Sequence, residues 1–129
     1  MELPIKIVGK HRAFTLKGDS MPPLKDGSLV VGRHIDSLAD IKDGETYIVQ
    51  TKNDGIVYKR IYRERNKQPN LFEFHSDNPL YPPYIVQSEN IEEIWSFVCN
   101  LNIAEFDSHE LKLDNVIRFL QSYHVEMVR

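Results

Sequence analysis

Asn53-Asp54-Gly55 stands between two runs rich in β-branched and aromatic residues, Glu45–Thr51 and Ile56–Arg63. Turn residues flanked by such runs specify an antiparallel hairpin. Side chains alternate faces along a strand, so Val57, Lys59 and Ile61 share one face, and Ile56, Tyr58 and Arg60 the other. Lys59 is thus set between two aliphatics on the side expected to meet the core. A buried ammonium loses hydration, its pKa falls, and the neutral amine becomes available as a base. The same pattern accommodates a lysine that snorkels to the rim, with Val57 and Ile61 as ordinary core residues.

The rest of the chain repeats this grammar of short strands and turns. Arg12–Lys17 alternates, and Leu29-Val30-Val31 follows the turn residues Lys25-Asp26-Gly27. Further strands are expected at Leu71–Phe74, Tyr84–Val86 and Ile91–Leu101, with Leu3–Gly9 as an edge strand or docking arm. Asp36–Gly44 is a polar loop with a short helical turn, Glu64–Asn70 a charged connector, and Ser76–Pro83 a turn region holding Pro79, Pro82 and Pro83. Many short strands separated by turn signals indicate a mainly β domain, either a barrel or a coiled sheet. The last segment differs. Asp107 with Glu110 three residues on forms a capping box, with Ser108 as the alternative cap, and Leu113, Val116, Ile117 and Leu120 recur at helical spacing. One C-terminal helix over 107–123 is therefore expected.

Gly18-Asp19-Ser20-Met21-Pro22-Pro23 places a hydroxyl after a flexible glycine and before two prolines that fix their own φ. A serine nucleophile needs a base. No histidine lies in a triad context and Gly-x-Ser-x-Gly is absent, so Lys59 is the candidate base for Ser20. Asp19 is expected to bond the local backbone, as aspartates in turns do. Tyr81 and Tyr84 beside the prolines are read as a structural turn ahead of a peptide-binding surface, and Trp95 as core.

Together with Asp26-Gly27-Ser28, Gly44-Glu45-Thr46-Tyr47 and Tyr58-Lys59-Arg60, the serine segment resembles the C-terminal domain of LexA-like and phage-repressor-like proteins, the peptidase S24 group. Ser76-Asp77-Asn78-Pro79-Leu80-Tyr81 and Ile94-Trp95-Ser96-Phe97-Val98 look like that group's later strands. The likeness covers roughly Phe14 to Asn100, and the lysine follows the serine by 39 residues. It implies a coiled β-sheet or partial barrel and a Ser-Lys dyad of Ser20 and Lys59, with Ser20 and Met21 forming the oxyanion loop. It also implies a homodimer, a RecA-type activator as partner, and DNA contact only through a separate N-terminal domain that this chain lacks. Self-cleaving relatives cut an Ala-Gly or Cys-Gly bond. Neither dipeptide occurs here, and Val8-Gly9 lies too close to Ser20 to fold back as their linker does. Two other readings stand beside self-cleavage. One is a non-catalytic dimerisation or sensory domain, the other a signal-peptidase-like Ser-Lys peptidase acting in trans.

With 129 residues, the chain is expected to be one domain, with a β core at about 14–100. A net charge of −3 and a pI near 5.9 give no global electrostatic footprint for nucleic acid. The single cysteine, Cys99, permits no internal disulfide, fits a reducing cytosol, and is read as a small core residue. No apolar run is long enough to cross a bilayer and no signal peptide is visible, so a cytoplasmic protein without a membrane partner is expected. The five histidines His11, His34, His75, His109 and His124 are dispersed, without zinc-ligand spacing, so neither metal nor cofactor is expected.

Overall fold

The hairpin is the centre of the fold. In the computed structural model, which describes residues 10–63, 69–101, 118, 121 and 125–128, strands β3 (Glu45–Thr51) and β4 (Gly55–Arg63) pair in register from Glu45↔Ile61 to Thr51↔Gly55. Around them lie β1 (His11–Thr15), β2 (Leu29–His34), β5 (Leu71–His75), β6 (Tyr84–Gln87), β7 (Ile91–Leu101) and β8 (Val125–Val128). They form one eight-stranded sheet in the order β6-β5-β4-β3-β7-β2-β1-β8. Every pair is antiparallel except β1 with β8, which is parallel. The outer strands β6 and β8 do not pair, so the sheet is open and not a closed barrel.

The class is all-β among the described residues, which contain no α-helical element. The expected C-terminal helix over 107–123 lies almost wholly outside the described residues. Of 107–123 only Arg118 and Gln121 are described, both exposed and helical in backbone, and the capping box lies outside the described residues. The arm at Leu3–Gly9 and most of the connector at Glu64–Asn70 lie outside them too. The short helical turn appears as a 3-10 turn at Leu38–Asp40, capped by Ser37, whose side chain accepts from the Ala39 N–H.

The sheet buries both faces at its centre, where the sequence reading had put the core on one side of β4. Ile41, Tyr47, Val49, Ile61, Phe72, Phe74, Val86 and Ile94 pack together on one face. Phe14, Leu16, Val30, Ile48 and Trp95 pack on the other, joined by half-buried Tyr58 and Phe97. Consecutive Ile48 and Val49 are both fully buried, opposite Trp95 and Ile94. That explains the unbroken apolar run of β3, since a strand covered on both sides does not alternate. Half-buried Cys99 sits in β7, and burial pushes its thiol pKa up, the opposite of an activated thiolate.

A register shift between Val31 and Gly32 lets β2 slip past one residue of β7, and Gly32 then lies directly beneath Trp95. A Cβ there would stand 2.8 Å from Trp95 Cβ and 2.9 Å from Ile48 Cδ1. The first is a stiff part of a fully buried side chain. Gly32→Ala is therefore expected to destabilise the protein by about 1–3 kcal/mol, the usual cost of overpacking. A lowered midpoint in urea denaturation, with unchanged slope, would register it.

Candidate active site

Residues 16–28 form a loop between β1 and β2, closed at its base by Leu16 N–H to Ser28 O (2.9 Å) and Gly27 N–H to Leu16 O (2.8 Å). Gly18 has φ of +84°, a left-handed conformation that side chains resist, and its N–H donates to Asp26 Oδ1 at 2.7 Å. That bend turns the following residues back over the sheet. Met21 is buried and anchors the loop, while Ser20 beside it is half-buried. The N–H groups of Ser20 and Met21 donate to no partner among the described residues.

Lys59 is only 8 % exposed. It lies across from Tyr47 on β3 and shares a face with Val57 and Ile61, as alternation requires. The structure brings Ser20 and Lys59 together: Nζ is 3.0 Å from Ser20 Oγ. It is also 2.7 Å from Ser76 Oγ and 5.8 Å from the centre of the Tyr81 ring. Burial pushes the Lys59 pKa below the usual lysine value, and the Asp54 carboxylate opposes this in part. The lysine does not snorkel into solvent.

A second loop, following β5, clasps the first. Ser20 O accepts from Asn78 N–H (3.0 Å) and Met21 Sδ from Asp77 N–H (3.2 Å). Asp19 O accepts from Asn78 Nδ2 (3.2 Å), and Asp19 Oδ1 from the Tyr81 hydroxyl (2.6 Å). Asp19 thus bonds across the fold and not its local backbone, and the contact raises the Tyr81 pKa. Arg60, on the opposite face of β4 from Lys59, grips Asp77 through two parallel bonds of 2.9 and 2.8 Å and donates to Gly44 O at 2.6 Å. The Arg60 hydrogen bond holds the Asp77 carboxyl below its ordinary pKa.

Sequence reasoning missed Ser76, Asp77, Asn78 and Tyr81 as neighbours of the serine. The signal that finds Ser76 is register: Arg60 pairs with His75, which carries Ser76 alongside Lys59. Beside Ser20 and Lys59 lies a cavity of about 100 Å³ lined by Leu16, Met21, Leu24, Ile56 and Val57, with Lys17 and Lys25 also at its wall. Among the described residues no group of three or more His, Cys, Asp or Glu could hold a metal ion, and no helix is long and apolar enough to cross a membrane.

The Peptidase S24-like family model matches residues 1–98. The chain belongs to that family. It is an S24-like peptidase domain, of the kind found in the C-terminal domains of LexA-like and phage repressors. No curated protein matches it. The matched span takes in both loops of the site and ends within β7.

Holding an amine this deep works against folding. Below its folded pKa, Lys59 is charged in the folded and the unfolded chain, and the cost of burying the ammonium is present in full. As pH rises through the lowered folded pKa that cost fades, and it is gone above the unfolded value. Lys59→Met is therefore expected to be more stable than wild type by about 0.5–2 kcal/mol at neutral pH, as substitutions that relieve a functional site commonly are. The gap should narrow in alkaline buffer. Denaturation midpoints of both proteins across pH check the magnitude and the trend.

Proposed function

We propose that this S24-like domain is a Ser-Lys peptidase and serves as the dimerisation and self-cleavage domain of a LexA-like or phage-repressor-like transcriptional regulator. The observation that carries the chemistry is a nearly buried lysine amine 3.0 Å from a serine hydroxyl. In this reading neutral Lys59 accepts the Ser20 Oγ proton as Oγ bonds to a peptide carbonyl carbon. The Ser20 and Met21 N–H groups steady the oxyanion. The Lys59 ammonium then gives its proton to the leaving nitrogen as the C–N bond breaks, which leaves an ester on Ser20 and a neutral lysine. Lys59 next takes a proton from water, the hydroxide attacks the ester carbon, and the proton returns to Ser20 Oγ as the acid departs.

The surroundings support a peptide substrate. Strand β5 pairs with β4 only along Arg60–Arg63, so the Ile56–Lys59 edge of β4 has no strand neighbour among the described residues. Ile61 O accepts from Gly44 N–H on the β3 side, and alternation turns the N–H and C=O groups of Ile56 and Tyr58 toward the free edge. An extended peptide added there runs past Ser20. A cavity of 100 Å³ holds about three water volumes of roughly 30 Å³ each, which suits a short aliphatic side chain. No Ala-Gly or Cys-Gly pair occurs in the 129 residues, so in this reading the scissile bond comes from a segment or chain outside them. Dimerisation has open edges at β6 and β8 among the described residues, with Leu80 and Ile85 exposed near β6.

The test is cleavage of a peptide carrying an Ala-Gly bond, or of the full-length protein, followed against pH. Wild-type rate should rise with pH through the Lys59 pKa, since the charged lysine cannot act as base. Ser20→Ala and Lys59→Ala should lose about 10²–10⁴-fold or more. Lys59→Arg should fail equally, because guanidinium does not deprotonate in proteins. Full activity in Lys59→Arg overturns the mechanism, and a wild type that cleaves nothing leaves the non-catalytic dimerisation role.

A further inference from the structure

The Lys59 amine touches two hydroxyls, and the Ser-Lys mechanism uses one. Nζ stands 2.7 Å from Ser76 Oγ and 3.0 Å from Ser20 Oγ. Resting on the peptidase reading above, we infer that Ser76 is a positioning residue: its hydroxyl oxygen accepts an N–H of Lys59 and thereby turns the amine's lone pair onto Ser20.

The roles of the two serines are not interchangeable. Ser20 lines the cavity beside Lys59, and Ser76 does not. The Ser20 loop carries N–H groups that donate to no partner among the described residues, suited to an oxyanion. Ser76 comes instead from the end of β5, where the pairing of Arg60 with His75 fixes it beside the lysine. Asp77 next to it is clamped by Arg60. Ser76 therefore sits on a stiff mount, outside the cavity lining.

Proton accounting gives the hydroxyl its task. A neutral primary amine has two N–H donors and one lone pair. To receive the Ser20 proton, the lone pair must face Ser20 Oγ, and the C–N bond leaves only rotation to arrange this. An acceptor at Ser76 Oγ fixes that rotation by taking one N–H. After proton transfer the ammonium donates to both oxygens, so Ser76 also stabilises the charged form. Two effects of opposite consequence follow. Loss of the hydroxyl removes orientation, which lowers the maximal rate. It also removes an acceptor of the ammonium, which moves the Lys59 titration to lower pH.

Other groups facing Lys59 act in the background and stay constant in this comparison. Asp54 lies in the β3–β4 turn and raises the lysine pKa. The Tyr47 ring is the cross-strand neighbour on β3. Tyr81 presents its ring to Nζ while its hydroxyl donates to Asp19 of the serine loop. Asp77, bound to Arg60, and Glu73 on β5, across from Tyr62, lie on the other face of the sheet.

The experiment compares Ser76→Ala and Ser76→Thr with wild type in two measurements. The first is the pH profile of cleavage. Ser76→Ala is expected to lose about 10–100-fold in plateau rate, the scale of a misplaced catalytic group, while its rising limb shifts to lower pH. Ser76→Thr keeps an oxygen at the same branch and should restore both. The second is the titration of Lys59 followed by NMR of its side chain, which needs no substrate and should show the same downward shift in Ser76→Ala and its reversal in Ser76→Thr. An unchanged Lys59 titration in Ser76→Ala overturns the inference, as does a rate loss that Ser76→Thr shares in full. A wild type that cleaves nothing speaks against the peptidase reading, whereas the titration alone decides whether Ser76 holds the amine.

Discussion

The burial of one amine organises this domain. Lys59 is 8 % exposed on a strand whose neighbours on the same face, Val57 and Ile61, belong with the larger apolar cluster. With so little exposure, the amine is met by oxygen atoms from two distant loops. That meeting ties the Ser20 loop and the 76–81 loop to β4 and to each other. On the serine side the clasp uses two backbone carbonyls, Ser20 O and Asp19 O, and two side-chain acceptors, Met21 Sδ and Asp19 Oδ1. None of these contacts uses Ser20 Oγ, so that hydroxyl carries no structural duty beyond its contact with the lysine.

Much of this is legible in the sequence. The Asn53-Asp54-Gly55 turn with its flanking runs gives the central hairpin, and alternation from it sends Lys59 inward and Arg60 outward. The serine segment gives its bend through Gly18. These are local features, written within a few residues of where they act. What was not legible depends on pairing between distant segments. The order of strands places β7 between β3 and β2, which no spacing announces. The second core on the Tyr58 face comes from Trp95 and Phe14, brought there by β7 and β1. Ser76 is the clearest case. Its position beside Lys59 follows from the β4–β5 register, but Glu64–Asn70 is a connector of seven residues, long enough to permit several registers. The Asp19 contact with Tyr81 spans 62 residues and opposes the local turn role that aspartate usually takes.

The stability and the chemistry of the site pull in opposite directions. A methionine or leucine at position 59 fills the same space without desolvating a charge. The domain instead keeps an ionisable group at its core and compensates with the bidentate Arg60–Asp77 pair, the Arg60 bond to Gly44 O, and the loop contacts. At the partly exposed Arg60–Asp77 pair, solvent screens the attraction, so geometry counts for more than net energy.

That register carries a further meaning. Ser76 and Asp77 are consecutive, and one faces inward to Lys59 while the other faces outward to Arg60. A strand's pleat has a period of two, so sliding β5 by a single residue exchanges the two faces. The amine would then meet a carboxylate in place of a hydroxyl, and the pair would lock as a salt bridge with the ammonium permanently charged. The difference between a proton acceptor and an inert ion pair is here one rung of a ladder. Alignment of two strands, set by apolar partners such as Ile61 with Phe74, therefore decides which oxygen meets the amine.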